Sequence, residues 1–285
     1  MVKGRASACG AGTIINAIAT WNGSAFAIDL RTTAEVELSE GIDGILGEVL
    51  DEGVDAKLIE RCVKIVLDRF GYVGGAHIKT SSEIPIARGL KSSSAAANAT
   101  ILATLDALNE KMEPLETVRL GVQAAFDVGV TITGAFDDAA SSYLGGIVVT
   151  DNREQLLVKR VLRESEVLVL VPDSQAFTAD TDVATSRLIG PWVDIAYDLA
   201  LDGEFEKAMT LNGFLYCAAL GFDPEPMLCA LGAGATGVSL SGTGPAFTAI
   251  VCIDYVDDVI KAWNHLKGKI IRTNIDNTGA RVESC

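Results

Sequence analysis

The chain has 285 residues, about half of them apolar, and a formal net charge of −15 from 23 Lys and Arg against 38 Asp and Glu. This length and apolar content predict a globular protein with one large domain or two moderate ones. The acidic excess argues against a nucleic-acid or anionic-membrane partner, because either would require a broad basic surface. We therefore expect any bound anion to be held by a local pocket.

The cysteines and the apolar runs indicate the cellular location of the protein. The six cysteines are scattered and form no C-x-x-C pair, so we expect reduced, buried thiols and a cytoplasmic location, with a disulfide framework or metal cluster less favoured. No run of about 18 apolar residues occurs, which predicts no membrane span. The N-terminal stretch resembles a secretory signal only superficially, because glycines, Thr13 and Asn16 interrupt it.

Hydrophobic periodicity predicts the elements of the first half in chain order. Alternating residues predict strands over 24–30 and 33–39. A helical period over 56–70 ends at Gly71, a residue type that commonly closes helices. The remaining expected elements are a strand over 76–81, helices over 94–108 and 114–128, and a strand over 145–151.

The second half predicts a compact unit of its own. The expected strands are 166–172, 236–241, 246–253 and 269–275, and the expected helices lie within 183–201 and over 205–220, 226–231 and 256–266. When the helices between the first two of these strands are counted as a single helical connection, the order is βαββαβ, a ferredoxin-like unit. The polar segment 150–155 predicts the boundary between an N-terminal mixed α/β domain, 1–152, and a C-terminal domain, 153–285. The fold class is therefore α+β.

The segment "GLKSSSAA" places a glycine, a lysine and three serines ahead of an alanine-rich helix. A glycine followed by small residues allows backbone N–H groups to approach an anion, and the helix dipole favours negative charge at that end. The hydroxyls of Ser92 and Ser93 could bind phosphate or Mg²⁺, and Lys91 could supply positive charge. The alternative is a serine-capped helix without a ligand. The order of residues does not fit a Walker A loop.

Two further loops contain candidate residues. In "TITGAFDDAASSYLGG" a glycine turn precedes Asp137 and Asp138, although paired acids in a loop are commonly solvated surface. In "LSGTGPAFTAI" the residues from Gly242 to Pro245 form a tight turn between two strands, which is also compatible with an ordinary hairpin.

Taken together and in this order, the three loops resemble the GHMP small-molecule kinases. The shared patterns are P-x-x-x-G-L-x-S-S-x-A-A at 85–96, G-x-x-D at 134–137 and S-G-x-G-P at 241–245. The resemblance covers nearly the whole chain and is greatest to the archaeal-type shikimate kinases. Where most members carry an N-terminal P-G-K, this chain has Ala11, Gly12 and Thr13. That departure removes a lysine that other members place near the catalytic acid, and it argues against mevalonate kinase.

The resemblance implies a two-domain GHMP-kinase-like fold that uses ATP and Mg²⁺. It implies that Asp137 is the base that accepts the acceptor's hydroxyl proton, with Asp138 as a helix cap or supporting group. Ser93 and Asp127 are the implied metal ligands. The implied ATP-binding residues are Pro85, Ile86, Ala87, Arg88, Gly89, Leu90, Lys91, Ser92, Ser93, Ser94, Ala95 and Ala96.

The implied acceptor is shikimate, whose carboxylate favours an arginine partner. The candidate acceptor-binding residues are Asn16, Thr20, Arg187, Gly242, Thr243 and Gly244. Three alternatives stay open: a homoserine kinase, a protein with the GHMP fold that binds without phosphorylating, and an unrelated α+β binding protein. The sequence leaves the oligomeric state undetermined.

Overall fold

A computed structural model describes residues 2–41, 43–51, 53–173 and 183–284. The first half builds a sheet in the strand order β11-β1-β2-β4-β3, with β5 pairing β2 and β6 pairing β5. Its strands are β1 (Val2–Ile15), β2 (Asn22–Ser39), β3 (Ile45–Val49), β4 (Gly75–Ser82), β5 (Ile147–Asp151), β6 (Leu156–Val161) and β11 (Arg281–Val282). Its helices are α1 (Lys57–Phe70), α2 (Ser92–Leu108), α3 (Pro114–Asp127) and α4 (Phe136–Leu144).

The second half builds a separate antiparallel sheet in the order β10-β7-β9-β8. Its strands are β7 (Glu166–Val171), β8 (Ala235–Leu240), β9 (Phe247–Val251) and β10 (Lys269–Asn274). Its helices are α5 (Val183–Leu188), α6 (Gly190–Asp202), α7 (Phe205–Leu220), α8 (Glu225–Gly232) and α9 (Val256–Trp263). This sheet order and the βαββαβ succession confirm the ferredoxin-like expectation.

Small residues let α2 lie directly on the first sheet. A Cβ added at Gly4 of β1 would come within 2.1 Å of the Ala103 carbonyl oxygen on α2. Ala6 and Ala8 of β1 are buried in the same cluster as Ala99 and Ala103. Side chains without bulk allow this close approach, and they leave α2 buried along most of its length. The Ala11 amide of β1 donates a hydrogen bond of 3.1 Å to the Leu90 carbonyl oxygen, which holds the loop that precedes α2 against β1.

The two sheets share one hydrophobic core. Ile14 and Phe26 of the first sheet belong to the same buried cluster as Val169 and Phe247 of the second. Because interiors are packed at high density, the loops at the junction of the two halves are held at fixed positions. Among the helices that the structure describes, none combines the length and the apolar character needed to span a membrane.

The structure changes several element boundaries. α1 and its end at Gly71 are confirmed, but α2 begins at Ser92, two residues earlier than expected, and segments 24–30 and 33–39 form one strand, β2. The expected boundary at 152 and 153 falls in the turn of the β5–β6 hairpin, whose strands both pair within the first sheet. The change of sheet therefore lies later, at 162–165, and β11 returns to the first sheet. The sequence did not predict β1, β3, β6, β11 or the helix α4.

Candidate active site

A cavity of about 410 Å³ lies where the loop before α2, the start of α4 and the 241–245 turn meet. It brings together most of the residues that the sequence selected. Those that line it are Asn16, Ile86, Ala87, Gly89, Lys91, Ser92, Ser93, Ser94, Ala96, Asp137, Gly242 and Thr243. The lining does not include Pro85, Arg88, Leu90, Ala95, Thr20, Asp127, Arg187 or Gly244.

The loop before α2 packs against the 241–245 turn, and Gly89 makes the contact possible. Gly89 has a φ of 80°, and an added Cβ would lie 2.0 Å from the Ser241 carbonyl oxygen. Ser241 Oγ donates a hydrogen bond of 2.8 Å to the Gly89 carbonyl oxygen. The Ala246 amide donates to the Arg88 carbonyl oxygen at 3.1 Å. Two motifs more than 150 residues apart in the chain thus form one wall of the cavity.

The start of α2 is open toward the cavity. The residue that caps it is Lys91, in the left-handed conformation with a φ of 66°, and no side chain provides a capping hydrogen bond. The serine-capped helix considered above is therefore not the observed arrangement. The first N–H groups of a helix have no partner within it, so they can bind an anion together with the neighbouring serine hydroxyls. Ser92 and Ser94 are partly exposed, and Ser93 is exposed.

The two aspartates are buried in the first turn of α4, which excludes the solvated-surface interpretation. Asp137 is 4% exposed and Asp138 is 8% exposed. Asn152 Nδ2 donates to Asp137 Oδ1 at 2.7 Å, and the Asp137 amide donates back to Asn152 Oδ1 at 3.2 Å. Lys91 Nζ lies 3.0 Å from Asp138 Oδ1, in an ion pair with little solvent exposure. A lysine from the loop before α2 thus reaches the acid pair.

The surroundings of Asp137 suit proton transfer near neutral pH. Burial and the neighbouring Asp138 charge raise the pKa of Asp137 to about 7, against the opposing effects of Lys91 and of the Asn152 hydrogen bond. Burial also raises the pKa of Asp138, and the Lys91 ammonium opposes that rise. A carboxylate with a pKa near the working pH is an efficient general base.

Two residues that sequence reasoning missed hold Asp137 in place. An added Cβ at Gly23 of β2 would lie 2.7 Å from Asp137 Cγ, so only a glycine leaves room for the carboxylate. Asn152 is itself fixed, because Thr150 Oγ1 donates to its Oδ1 at 2.8 Å. Neither belongs to a recognisable motif, and the polar segment containing Asn152 indicated a domain boundary instead. Only the pairing of β2 with β5 brings both residues to α4.

Asn16 connects the end of β1 to the 241–245 turn. Its Nδ2 donates to the Gly242 carbonyl oxygen at 2.8 Å, and its Oδ1 accepts from the Ile18 amide at 3.0 Å. The Gly242 amide donates to Thr13 Oγ1 at 2.8 Å. Asn16 therefore shapes the cavity wall that Gly242 and Thr243 share with it.

The structure does not bring Asp127 together with Ser93. The Asp127 carboxylate pairs with Arg61 of α1, with Oδ2 2.6 Å from Nη2, and it lies outside the cavity. This geometry corrects its expected place beside the metal, because the end of α3 packs toward α1. Among the residues that the structure describes, the carboxylates that line the cavity belong to Asp51, Asp55, Asp137 and Asp138.

Three other candidates lie outside the cavity lining. Thr20 Oγ1 accepts from the Asn22 amide at 3.3 Å, and Arg187 is exposed on α5. Gly244 has a φ of 78° and lies against the Phe222 ring, which an added Cβ would meet at 2.7 Å. Gly244 thus shapes the turn without lining the cavity.

Comparisons with known proteins show which family and fold this chain resembles. Residues 57–146 match the family model described as GHMP kinases N terminal domain. A shikimate kinase from Methanosarcina mazei is 59% identical, covering 98% of this chain and 96% of its own. A shikimate kinase from Methanothermobacter thermautotrophicus is 45% identical, covering 99% of each chain. The Methanococcus jannaschii mevalonate kinase structure has a TM-score of 0.77 at 19% identity, covering 95% of this chain and 98% of its own.

The two sheets and the loop before α2 define the class as small-molecule kinases of the GHMP superfamily, for which ATP is the phosphoryl donor. Sequence identity of 59% and 45% to the two shikimate kinases, over nearly the whole chain, narrows this class to one family. The chain belongs to the archaeal-type shikimate kinase family. The resemblance and the fold class drawn from the sequence are confirmed.

Proposed function

We propose that this protein transfers the γ-phosphate of ATP to a hydroxyl of shikimate, giving shikimate 3-phosphate for the biosynthesis of aromatic amino acids. The observation that carries the proposal is a buried carboxylate, Asp137, in the same cavity as the open start of α2. Shikimate as the acceptor rests on relatives named shikimate kinase that match nearly the whole chain.

The triphosphate binds at the loop before α2. The α2 N–H groups and the hydroxyls of Ser92 and Ser93 supply hydrogen-bond donors, and the positive end of the helix dipole favours the phosphate charge. Phosphoryl transfer depends mainly on positioning and charge neutralisation, so a rigid loop suits the reaction. The contact between Gly89 and Ser241 supplies that rigidity.

Asp137 accepts the proton of the attacking hydroxyl. The acceptor oxygen forms a bond to the γ-phosphorus, the bond from that phosphorus to the β,γ-bridging oxygen breaks, and ADP leaves with the electron pair. The proton passes to an Asp137 carboxylate oxygen, while Asn152 holds the Oδ1 side of the group.

Lys91 and Asp138 act as a unit beside this base. Asp138 anchors the Lys91 ammonium at 3.0 Å, so a positive charge is held between the phosphate loop and α4. A charge held in a buried site acts more strongly on a developing negative charge than one in water. Lys91 thus takes over the assistance that the absent N-terminal lysine would have given.

Mg²⁺ neutralises triphosphate charge when it is bound. Ser93 fits this ion, because its hydroxyl lines the cavity and does not cap α2, and hard oxygen ligands suit Mg²⁺. Asp127 does not fit, because Arg61 holds its carboxylate outside the cavity. Among the described residues, the candidates for a carboxylate ligand are the aspartates that line the cavity.

The acceptor lies between the 241–245 turn and the segment that follows β1. Asn16, Gly242 and Thr243 line this part of the cavity. Arg187 lies outside the cavity lining, and it is kept as our candidate partner for the shikimate carboxylate from the sequence alone. The α5–α6 junction lies close to Thr20, because a Cβ added at Gly190, at the start of α6, would be 3.6 Å from the Thr20 methyl.

Free thiols at the five described cysteines favour the reducing cytoplasm as the location.

Coupled measurement of ADP release with shikimate, homoserine and mevalonate at matched concentrations tests the acceptor. A site built for a cyclic triol leaves at least two polar groups unpaired with homoserine, each costing roughly 1–3 kcal/mol. We therefore expect shikimate to be preferred at least about thirtyfold, since about 1.4 kcal/mol corresponds to a factor of ten. A homoserine rate equal to the shikimate rate would favour homoserine kinase instead. If ADP were released with none of the three acceptors, a binding protein without kinase activity would be favoured.

A further inference from the structure

Three side chains of types that can ligate a metal ion lie close together, away from the cavity. Glu225 and Cys229 are one turn apart on α8, and His265 follows the end of α9. One ligand atom from each residue lies within 4.8 Å of the other two. None of the three residues lines the cavity where the phosphoryl transfer is proposed.

Buried packing fixes the two elements that carry these side chains. Trp263 of α9 is completely buried, and its indole Nε1 donates a hydrogen bond of 2.8 Å to the Pro226 carbonyl oxygen in α8. The Leu266 amide donates to the Trp263 carbonyl oxygen at 2.9 Å, which closes the turn that contains His265. The backbones behind the three side chains are therefore positioned before any ion binds, which lowers the entropic cost of binding.

The separations suit coordination of one ion. His265 Nε2 and Glu225 Oε1 are 3.4 Å apart, beyond the usual length of a charge-assisted hydrogen bond. Zinc bonds of about 2.0–2.2 Å to nitrogen and oxygen, set at a tetrahedral angle, place those two atoms about 3.4 Å apart. Cys229 is partly exposed and both partners are exposed, so small side-chain rotations can bring in the sulfur.

We propose that Glu225, Cys229 and His265 form a binding site for a divalent transition-metal ion of the Zn²⁺ type, with water in the fourth position. Thiolate and imidazole ligands favour such ions over Mg²⁺, which prefers oxygen alone. On binding, the Cys229 thiol releases its proton to solvent and the sulfur coordinates the ion. The ion links α8 to the turn after α9 and stabilises the helical layer on the second sheet.

Cobalt provides a spectroscopic test on the untagged full-length protein after removal of metals with EDTA. We expect one Co²⁺ per chain, with a near-ultraviolet charge-transfer band from a thiolate ligand. Cys229→Ser should abolish the band, and Cys252→Ser is the matched control, because Cys252 is also a free thiol and is outside the group. A band that persists in Cys229→Ser, or that never forms in the parent protein, overturns the proposal.

Thermal unfolding with Zn²⁺ tests the link between the helices. At a Zn²⁺ concentration about a hundredfold above the Kd, we expect the midpoint to rise by roughly 5 °C in the parent protein and in Cys252→Ser. His265→Ala should weaken Zn²⁺ binding at least about tenfold, since even residues that only support metal ligands contribute that much. This exposed position keeps the proposal testable if Cys229→Ser does not fold. Equal Zn²⁺ affinity in His265→Ala and the parent protein, or binding abolished by millimolar Mg²⁺, overturns it.

Discussion

Replacing Gly23 by alanine should displace the Asp137 carboxylate, the proposed base, without changing its chemistry. The added Cβ would lie 2.7 Å from Asp137 Cγ and 2.9 Å from Asp137 Oδ2. Carbon atoms in contact are normally about 3.5 Å apart or more, so the carboxyl carbon must move by about 0.8 Å. Asp137 is buried and hydrogen-bonded to Asn152, so it cannot swing freely into solvent.

The displacement should affect turnover more than substrate binding. A misplacement of about 1 Å in a reacting group can cost about a hundredfold, so we expect kcat to fall about tenfold to a hundredfold. The KM for ATP should change little, because Gly23 does not line the cavity. Overpacking should also cost about 1–3 kcal/mol of stability, which thermal unfolding would detect.

Gly41→Ala is the matched control, because a Cβ at this position just after β2 would meet only Ser39 Oγ at 3.7 Å. Steady-state ADP release and thermal unfolding should be measured on both variants. A folded Gly23→Ala protein with the parental kcat would refute the reasoning, since the geometry of Asp137 would then not limit the reaction. An equal loss of kcat in Gly41→Ala would assign the effect to general destabilisation.

Five further outcomes follow from the same site. Asp137→Asn should lower turnover about a hundredfold or more while ATP binding is retained, and parental turnover would remove Asp137 from the mechanism. In the parent protein kcat/KM should fall as the pH drops below about 7, because a protonated Asp137 cannot accept a proton; persistence of this limb in Asp137→Asn would assign it to another group. The pKa of Asp137 is higher in the folded state than its ordinary value of 3.8, so the folded state keeps a proton that the unfolded state loses, and the Asp137 contribution to the free energy of unfolding should decrease as the pH rises from about 4 to 7. Denaturant titrations across that range should show a less negative slope of the free energy of unfolding against pH for Asp137→Asn than for the parent. Lys91→Met and Asp138→Asn should each lower kcat, and the double variant should be no worse than the poorer single one, whereas additive losses would show that they act independently. Ser93→Ala should raise the Mg²⁺ concentration needed for half-maximal activity, and an unchanged Mg²⁺ dependence would deny Ser93 a metal role.

Local patterns in the chain were sufficient for much of the second half. The helical period over 205–220 coincides with α7, and the alternation over 269–275 coincides with β10 apart from one residue. Both signals are local, because side-chain periodicity repeats within a few residues. The ferredoxin-like order followed from the succession of elements, since connection rules leave few topologies open. The three glycine-containing loops were also visible, because close backbone approach restricts the residue types allowed there.

The first sheet was harder to predict from the sequence. β1 is rich in alanine and glycine, and ten of its fourteen residues, from Ala6 to Ile15, are buried in succession, so it shows no alternation of apolar and polar residues. The aspartates on α4 looked like a loop pair, because a left-handed Ala135 starts that helix in place of a typical capping residue. The boundary expected at 152 falls in the turn between β5 and β6, because a polar hairpin turn resembles a linker in composition.

The sequence by itself determined the family and indicated the loop proposed to bind phosphate and the candidate base, because each depends on residue types at short, fixed spacings. Only the tertiary structure decided which groups surround that base. Lys91 reaches Asp138 across 47 positions of the chain, and Gly23 and Asn152 meet Asp137 because β2 pairs with β5 beside α4. The same packing turned Asp127 toward Arg61 and away from the cavity. Contacts of this kind depend on sheet register and helix packing, which are set by the whole core and leave no local pattern in the sequence.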